Sequence, residues 1–514
     1  MTRFLLPRWI MIIIAGLTAC AGPAATPIAP ATSSPTAMPA PTAAVPLTAD
    51  VFFVAPDGDD ANPGTFEQPW ATVNHAARVL QAGQTVYLRG GLYALPEQVR
   101  PTNSGREDAW ITYRAYPGEE PVLDASAIDN DPSSHFSHDA GSFTIERRAY
   151  IRVIGLTVRH SHQAGFMVRD SQHIELLNNT ADTTFSPGIG VWRTDGTDGV
   201  TEHIKILGNT VTRANTWEML PKGYVRQGEP PHEAISIAGA HHFEVACNHV
   251  HDCDKEGIDV KETSAHGRVH HNYIHHLDRQ GLYVDSWFGV LEDVEMDHNV
   301  VHDCRGAGLA ISVEGGHEAR DVRIHHNLLY NNQGTGILFG RWGGDGRRTG
   351  IYITNNTVHH NGYGPANPPT QYHWITGGLY LFSANLENVE IRDNIFSDNK
   401  GFQIGYSDRY LQEGDDIAAV LAHKRITITH NLIYDTNAVT YPIRAGWAPN
   451  DFADIYAFNG EEAIIGEPLF VSPAEGNFYL QPDSPGGDAG VFPAGTPVDF
   501  WWKEDFPPKF AVED

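Results

Sequence analysis

The stretch 298–302 reads His-Asn-Val-Val-His, and variants of it recur through the central part of the chain. In each variant an Asn precedes two residues that are mostly β-branched or apolar, often followed by His or Tyr. The Asn-to-Asn steps from Asn248 onward are 24, 27, 28, 29, 38 and 37 residues. The other copies lie at 207–211, 247–251, 271–275, 326–330, 355–359, 393–396 and 430–434. A period of this length predicts a solenoid, in which each repeat packs only against its neighbours.

A second phrase lies between the Asn phrases and consists of Gly, an apolar residue, a variable residue and another apolar residue. Its copies lie at 257–260, 281–284, 308–311, 336–339 and 378–381. Such short alternating runs between Gly, Asn and Asp predict strands with one buried face. Too few residues separate them for crossover helices, which excludes an ordinary α/β sheet. The pattern predicts an all-β, single-stranded parallel β-helix whose rungs are about 4.8 Å apart.

This register makes predictions about the residues that repeat. The Asn column should form an internal ladder of side-chain amides. Cys253 and Cys304 each fall five residues after their Asn, two rungs or about 9–10 Å apart, which is too far for a disulfide. We expect both, and Cys247, to be free thiols. The aligned His columns are either solvated turns or a metal site, and they contain His271, His298 and His326, and His251, His275 and His302.

The N-terminus has the features of an export signal. Residues 1–19 combine a basic start with an apolar run too short to span a bilayer. The run ends in Leu-Thr-Ala-Cys at 17–20, which resembles the lipobox of bacterial lipoproteins and implies cleavage and acylation at Cys20. The alternative is an ordinary signal peptide with an incidental Cys. Residues 20–50 are rich in Pro, Ala and Thr and predict an extended tether. The protein is therefore expected to be exported and held at the cell envelope by an N-terminal lipid.

The charge balance restricts the partners. The 514 residues include 35 Lys and Arg against 63 Asp and Glu, a formal net charge of −28. This excludes nucleic acid as a partner, because phosphate binding requires clustered basic residues. A polyanionic glycan would also be repelled unless a bound cation or a local basic patch intervened. We expect a monomer.

The ends of the repeat region resemble a known group of proteins. The segments 53–65, 69–72, 83–93 and 111–118 are similar to the opening of bacterial right-handed parallel β-helix proteins, notably the family-nine pectate lyases and their relatives. The resemblance continues through 468–490, so it assigns 51–490 to a right-handed β-helix and leaves 491–514 as a C-terminal tail. Residues 72–82 have helical apolar spacing and predict a cap over the open end of the solenoid. The resemblance implies an enzyme acting on a polysaccharide.

Charged residues concentrate on two neighbouring rungs in the middle of the solenoid. In the strand that begins after Gly257, Asp259 and Lys261 alternate with apolar residues and point outward. One coil later Tyr283 and Asp285 occupy the same positions. The register therefore stacks Asp259 on Tyr283 and Lys261 on Asp285. Trp287, Glu314 and Trp342 follow in register, and aromatic rings beside carboxylates suit a sugar. The expected substrate-binding residues are Tyr283, Trp287, Arg279, Arg341, Trp342, His232 and Glu233.

Two chemistries fit these rungs. In a calcium-dependent uronan lyase, which the resemblance favours, Lys261 would remove the proton beside a uronate carboxylate and Ca²⁺ would neutralise that carboxylate. The metal ligands would then be Asp259, Glu262 and Asp285. In an inverting glycoside hydrolase, Asp259 and Asp285 would be the catalytic pair, since one rung and two residues separate them by roughly 8 Å.

Two non-catalytic interpretations also remain open. The first is a lipid-tethered protein that binds glycans or builds the cell surface without turning anything over. The second is that Lys261 and Asp285 form only a surface ion pair between adjacent strands, contributing under about 1 kcal/mol.

Overall fold

A computed structural model describes residues 50–128, 140–194, 200–222, 224, 230–364, 376–407, 410–411, 414–436, 455–457, 459–503 and 506–511. The predicted signal peptide, Cys20 and the tether up to residue 49 lie outside the described residues. Within the described ranges, no helix has the length and apolar character needed to cross a bilayer.

Three long sheets, here called A, B and C, contain nearly all the strands in the described part of the chain. Sheet A contains β1 (Val51–Val54), β2 (Thr85–Leu88), β4 (Ile111–Ala115), β7 (Ala149–Ile154), β10 (Gln172–Leu177), β13 (Glu202–Leu207), β16 (His241–Ala246), β19 (Ala265–His270), β22 (Val290–Asp297), β25 (Glu318–His325), β28 (Arg347–Thr354), β31 (Leu386–Arg392) and β34 (Ile426–Thr429). Sheet B contains β3 (Gly91–Ala94), β5 (Pro121–Asp124), β8 (Thr157–Ser161), β11 (Thr180–Thr184), β14 (Thr210–Thr212), β17 (His249–His251), β20 (Tyr273–His275), β23 (Val300–His302), β26 (Leu328–Tyr330), β29 (Thr357–His359), β32 (Ile395–Ser397), β35 (Leu432–Tyr434) and β37 (Ile464–Ile465). Sheet C contains β6 (Gly141–Glu146), β9 (Ala164–Arg169), β12 (Ile189–Trp192), β15 (Ile235–Ala238), β18 (Ile258–Lys261), β21 (Leu282–Ser286), β24 (Leu309–Val313), β27 (Ile337–Phe339), β30 (Leu379–Phe382), β33 (Ile404–Ser407) and β36 (Tyr456–Ala457).

The chain visits the sheets in the order A, B, C in each regular coil, and neighbouring coils pair in parallel except where β36 joins antiparallel to β33. Inward residues of all three sheets form one continuous apolar core. The predicted parallel β-helix is therefore confirmed. The predicted cap helix is α1 (Val73–Val79), whose N-cap is Thr72 and whose apolar side chains join that core. A second helix, α2 (Ile417–Lys424), lies near the other end, and single 3₁₀ turns occur at Trp217–Met219 and Pro473–Glu475.

The predicted Asn ladder is present at the turn between sheets A and B. In each step one Asn donates from Nδ2 to Oδ1 of the Asn in the next coil, at 2.9–3.1 Å. The ladder contains Asn179, Asn209, Asn248, Asn272, Asn299, Asn327, Asn356, Asn394 and Asn431. A shorter ladder that the sequence analysis did not identify joins Asn332, Asn361 and Asn399. Both ladders satisfy buried backbone groups at the corners, where strand pairing ends.

The cysteines differ according to the side of the coil on which they lie. Cys253 and Cys304 are free, buried and part of the interior core, as predicted. The prediction was wrong for Cys247, which is disulfide-bonded. Its side chain packs in a separate cluster with Phe506 and Phe510, outside the coil, where a sulfur does not depend on the internal register.

The His columns are aligned as predicted. His271, His298 and His326 stack with ring centroids 4.8 and 5.0 Å apart, each in the left-handed turn before a ladder Asn. Asp297 lies beside the first two rings, close enough for the three side chains to share a metal ion. Arg268 pairs with the Asp297 carboxylate at 2.7 Å, so this carboxylate already has a counterion. The stacking of the rings is explained by the repeated turn, because each ring occupies the same turn position in successive coils.

The C-terminal segment returns along the outside of sheet B. Strands β38 (Phe470–Ser472) and β39 (Asn477–Leu480) form a hairpin that packs on this sheet. The chain then reaches Phe510, whose N–H donates to Oδ1 of Asn178 at 2.8 Å. This segment covers apolar side chains of sheet B and of the neighbouring corner of the coil.

Candidate active site on sheet C

The predicted register of the charged rungs is confirmed. Strands β18 and β21 pair in parallel with Asp259 opposite Tyr283 and Lys261 opposite Asp285. The alternating apolar residues of both strands enter the core, so these four side chains lie on the outer face of sheet C.

The connections from sheet B to sheet C are short at the charged rungs and long on either side of them. Before β18, β21, β24 and β27 the connections have six residues each, at 252–257, 276–281, 303–308 and 331–336. Those before β15 and β30 have 22 and 19 residues, at 213–234 and 360–378. The charged rungs thus lie where the connections between sheets B and C are short, and long connections precede and follow them. Long connections in a compact fold are often functional.

Lys261 is the centre of a buried ion-pair network. Its Nζ lies 2.7 Å from Oε2 of Glu233 and 3.1 Å from Oδ2 of Asp259. Burial lowers the pKa of Lys261, but Glu233, Asp259 and then Asp285 outweigh burial and raise it well above its ordinary value. The prediction of a surface pair between Lys261 and Asp285 was therefore wrong in its partner and its exposure, because Glu233 arrives from the connection before β15 and takes the ammonium group.

A second set of charges adjoins this network. Lys255 Nζ lies 3.7 Å from Oε1 of Glu233 and 3.8 Å from Oε2 of Glu256. Arg279 donates to Oε1 of Glu256 at 2.9 Å. Of the predicted substrate-binding residues, Arg279 and Glu233 therefore already have ion-pair partners in the protein.

Two aspartates are short of hydrogen bonds. Neither carboxylate oxygen of Asp259 accepts a hydrogen bond of good geometry within the described residues, and Oδ1 of Asp285 accepts none either. Burial raises the pKa of Asp259 well above its ordinary value, and Lys261 only partly opposes this. Burial and then the charge of Glu314 raise the pKa of Asp285 in the same direction. Excess negative charge in a dehydrated site favours protonation or a bound cation.

Glu314 is the functional candidate that the sequence prediction left outside its list of site residues. It follows β24, is partly exposed and accepts a hydrogen bond from the Tyr283 hydroxyl. Burial raises the pKa of Glu314 to about 7 despite that hydrogen bond. The sequence could have indicated this residue, because Glu314 lies in register between two aromatic residues, Trp287 and Trp342, of the neighbouring coils.

The two tryptophans flank this carboxyl group. Trp287 is 49% exposed, and its ring lies along the Gly343 turn, where an added Cβ would be 3.4 Å from it. Trp342 packs edge-on against Tyr283 with centroids 6.1 Å apart. A Cβ on Gly340 would lie 2.3 Å from the Trp342 ring, so only glycine fits beneath it. The exposed ring faces and the carboxyl group form a surface suited to a sugar.

The turn that carries Trp342 is held by a fully buried arginine. Arg348 donates to Oδ1 of Asp345 at 2.9 Å, to the Gly346 carbonyl at 2.8 Å and to Ser383 at 3.0 Å. Its pKa is lowered by burial, which Asp345 opposes. The predicted Arg341 extends from the same turn and lies over the ring of Phe382 at 4.1 Å.

The remaining predicted residues lie at the edges of the site. His232 contacts Trp192, with ring centroids 4.7 Å apart. Oε2 of Glu262 accepts the backbone N–H groups of Trp287 and Phe288 at 3.1 and 3.2 Å, so this oxygen holds the turn after β21.

The acidic set is chemically suited to calcium. Ca²⁺ takes carboxylate oxygens, and Asp259 and Asp285 offer oxygens that accept no hydrogen bond. Glu262 offers less, because one of its oxygens is already held by backbone groups. Asp259 and Asp285 would therefore be the principal ligands, and the ion would neutralise an anionic group placed beside them.

Comparisons with known proteins agree with this fold. Residues 52–197 match the family described as Pel9A-like, right handed beta helix region, and residues 142–318 and 316–417 match the right handed beta helix region family. Pectate lyase PEL9 of Emericella nidulans is 28% identical over 173 residues, which are 33% of this chain and 42% of that protein's length. The uncharacterized protein YwoF of Bacillus subtilis is 27% identical over 497 residues, covering 85% of this chain and 92% of the relative. The crystal structure of pectate lyase Pel9A has 14% identity and a TM-score of 0.47, with 87% of this chain and 96% of that chain covered. The chain therefore belongs to the right-handed β-helix family, with a Pel9A-like N-terminal region.

Proposed function

We propose that this protein is an exported, lipid-anchored enzyme that hydrolyses a polysaccharide on the outer face of sheet C, with Asp285 and Glu314 as the catalytic carboxyl groups. The observation that carries this proposal is the pair itself. Both groups have raised pKa values, and Glu314 is partly exposed beside Trp287 and Trp342. Glycoside hydrolysis requires one protonated and one ionised carboxyl group at the same bond.

The surroundings suggest a role for each group. Burial and then the charge of Glu314 raise the pKa of Asp285 well above its ordinary value, so this group is suited to donate a proton to the leaving oxygen. Glu314 reaches solvent and accepts the Tyr283 hydroxyl, which favours its ionised form, so it is suited to activate water. Asp259 is the less suitable partner because its carboxylate lies 3.1 Å from the Lys261 ammonium group.

The test is a screen of the purified protein on pectate, alginate, glycosaminoglycans and neutral plant glycans, with release of reducing ends as the measurement. Once a substrate is found, Asp285→Asn and Glu314→Gln should each lower kcat by about 100-fold or more. The matched control is Glu387→Gln, which neutralises an exposed carboxylate paired with Arg347 on sheet A. Wild-type rates in both site variants would refute the assignment.

A calcium-dependent uronan lyase is the second candidate, and the Oδ1 atoms of Asp259 and Asp285, which accept no hydrogen bond, favour it. Bound calcium would neutralise a uronate carboxylate, and Lys261 would then act as the base. This role conflicts with the 2.7 Å pair between Lys261 and Glu233, because deprotonation would leave a buried carboxylate uncompensated. An unsaturated product that absorbs in the ultraviolet and is lost with EDTA would select the lyase. Binding without turnover in the whole panel would select a glycan-binding protein.

A further inference from the structure

We propose that the site on sheet C selects neutral glycans, whose sugars carry hydroxyl groups but no carboxylate at the subsite beside Trp287 and Glu314. This inference deepens the proposed function and rests on the same site.

The described side chains around the site are predominantly acidic. The carboxyl groups are Glu233, Glu256, Asp259, Glu262, Asp285 and Glu314, and the basic groups in direct contact with them are Lys255, Lys261 and Arg279. Six acids exceed three bases when all are ionised, and four acids still exceed three bases when Asp259 and Asp285, whose pKa values are raised, are protonated. A substrate carboxylate at this point would add a like charge in a site with little water to screen it.

The basic groups are also engaged by the protein. Lys261 lies between Glu233 and Asp259, and Arg279 donates to Glu256. Arg341 stacks on Phe382. Without a bound cation, recognition of a uronate carboxylate requires an arginine or lysine that can turn toward it. Lys255, Lys261 and Arg279 are each already paired with a carboxylate of the protein.

A neutral sugar finds complementary groups instead. The exposed face of Trp287 offers an apolar surface for the C–H side of a pyranose ring. Ionised carboxylates only accept hydrogen bonds, and sugar hydroxyl groups donate them. The partly exposed carboxylate of Glu314 is an acceptor of this kind. The site thus combines a stacking surface with a carboxylate acceptor, and the three basic groups that contact its carboxylates are already paired with them.

The test uses substrates that differ only in charge. Oligosaccharides of pectate, alginate and a glycosaminoglycan are each compared with the same chain after its carboxylates have been reduced to primary alcohols, and a panel of neutral plant glycans is added. Binding is measured by calorimetry with the full-length Asp285→Asn protein, in EDTA at low salt and again with added calcium. Turnover is measured in parallel with the wild-type protein.

We expect at least one neutral chain to bind about tenfold or more tightly than its uronate form in EDTA. Glu314→Gln, which removes one negative charge, should narrow that difference. The inference is overturned if a uronate form binds better than its reduced counterpart, with or without calcium, or if no neutral chain binds. If neutral chains bind selectively and none is cleaved, the proposed hydrolase fails while the substrate preference stands.

Discussion

Replacing Lys261 with Met separates a structural role from a catalytic one. The substitution keeps the length of the side chain and removes the ammonium group that Glu233 and Asp259 share at 2.7 and 3.1 Å. Breaking a buried ion pair by removing one partner costs about 3–5 kcal/mol, because the other charge stays buried without compensation. Lys255 lies 3.7 Å from Glu233 and supplies part of the lost attraction. We therefore expect a loss near the lower limit, about 3 kcal/mol in the free energy of unfolding.

The double variant Lys261→Met/Glu233→Gln provides the decisive comparison. With Glu233 neutral, the remaining Asp259 can stay protonated, since burial already raises its pKa. The double variant should therefore be more stable than the single variant by about 1–2 kcal/mol, which is a measurable coupling energy. Urea denaturation followed by tryptophan fluorescence measures both. The control is Lys205→Met, an exposed residue on β13, which should change stability by no more than about 0.5 kcal/mol.

The pH dependence gives a second measure of the same network. The pKa of Glu233 is raised by burial but lowered further by Lys261 and Lys255, so its net shift is downward. A carboxyl group with a lowered folded pKa adds stability that is complete above its unfolded pKa, about 4.3, and is lost as pH falls through the folded value. Wild-type stability should therefore decline below about pH 4.3, and Lys261→Met should reduce that decline. Two results would refute the buried network. The first is a loss of less than about 1 kcal/mol in the free energy of unfolding of Lys261→Met. The second is a Lys261→Met/Glu233→Gln protein that is no more stable than Lys261→Met.

Four further predictions address the ladder, the aromatic platform, the His columns and the anchor. Asn299→Ala removes four buried hydrogen bonds and should lower the free energy of unfolding by about 3–5 kcal/mol, measured in urea. Gly340→Ala should displace Trp342, change tryptophan fluorescence and weaken glycan binding. Burial and then the charges of His298 and His270 lower the pKa of His271 to about 3, so its contribution to stability is complete above the unfolded value of about 6.5 and is lost as pH falls toward 3. Cys20→Ser should move the protein from the detergent phase to the aqueous phase.

Each of these predictions has a matched comparison. Asn477→Ala loses one partly exposed hydrogen bond and should cost about 1 kcal/mol or less, so equal losses would contradict the ladder argument. Gly487→Ala, where an added Cβ has ordinary contacts, should leave fluorescence and binding unchanged. A free energy of unfolding that stays constant between pH 6.5 and 4.5 would contradict the contribution assigned to neutral His271. The comparison for Cys20→Ser is Cys304→Ala at a buried free thiol, which should leave the protein in the detergent phase.

The fold could be predicted from the sequence because a parallel β-helix repeats its constraints in every coil. The Asn column specifies the corner between sheets A and B, and each Gly-led phrase specifies a strand of sheet C. A wrong register in one coil would therefore disagree with the register of the coils on either side. The pairing of Asp259 with Tyr283 and of Lys261 with Asp285 followed from this register alone. The hairpin and tail on sheet B did not, because residues 466–511 belong to no repeat and pack by general apolar complementarity.

The site was less predictable, since register places a residue on a face but does not determine its neighbours from other segments. Glu233 lies just before β15, and no periodic signal shows that it takes the Lys261 ammonium group. That single contact changes the chemistry. It turns Lys261 from an available base into a buried structural cation and leaves Asp285 facing Glu314. The sequence placed Glu314 in the column of Trp287 and Trp342, but only its exposure and its hydrogen bond from Tyr283 make it a catalytic candidate. The fold of this protein is thus specified by residues that recur in successive coils, whereas its candidate function depends on residues that do not recur.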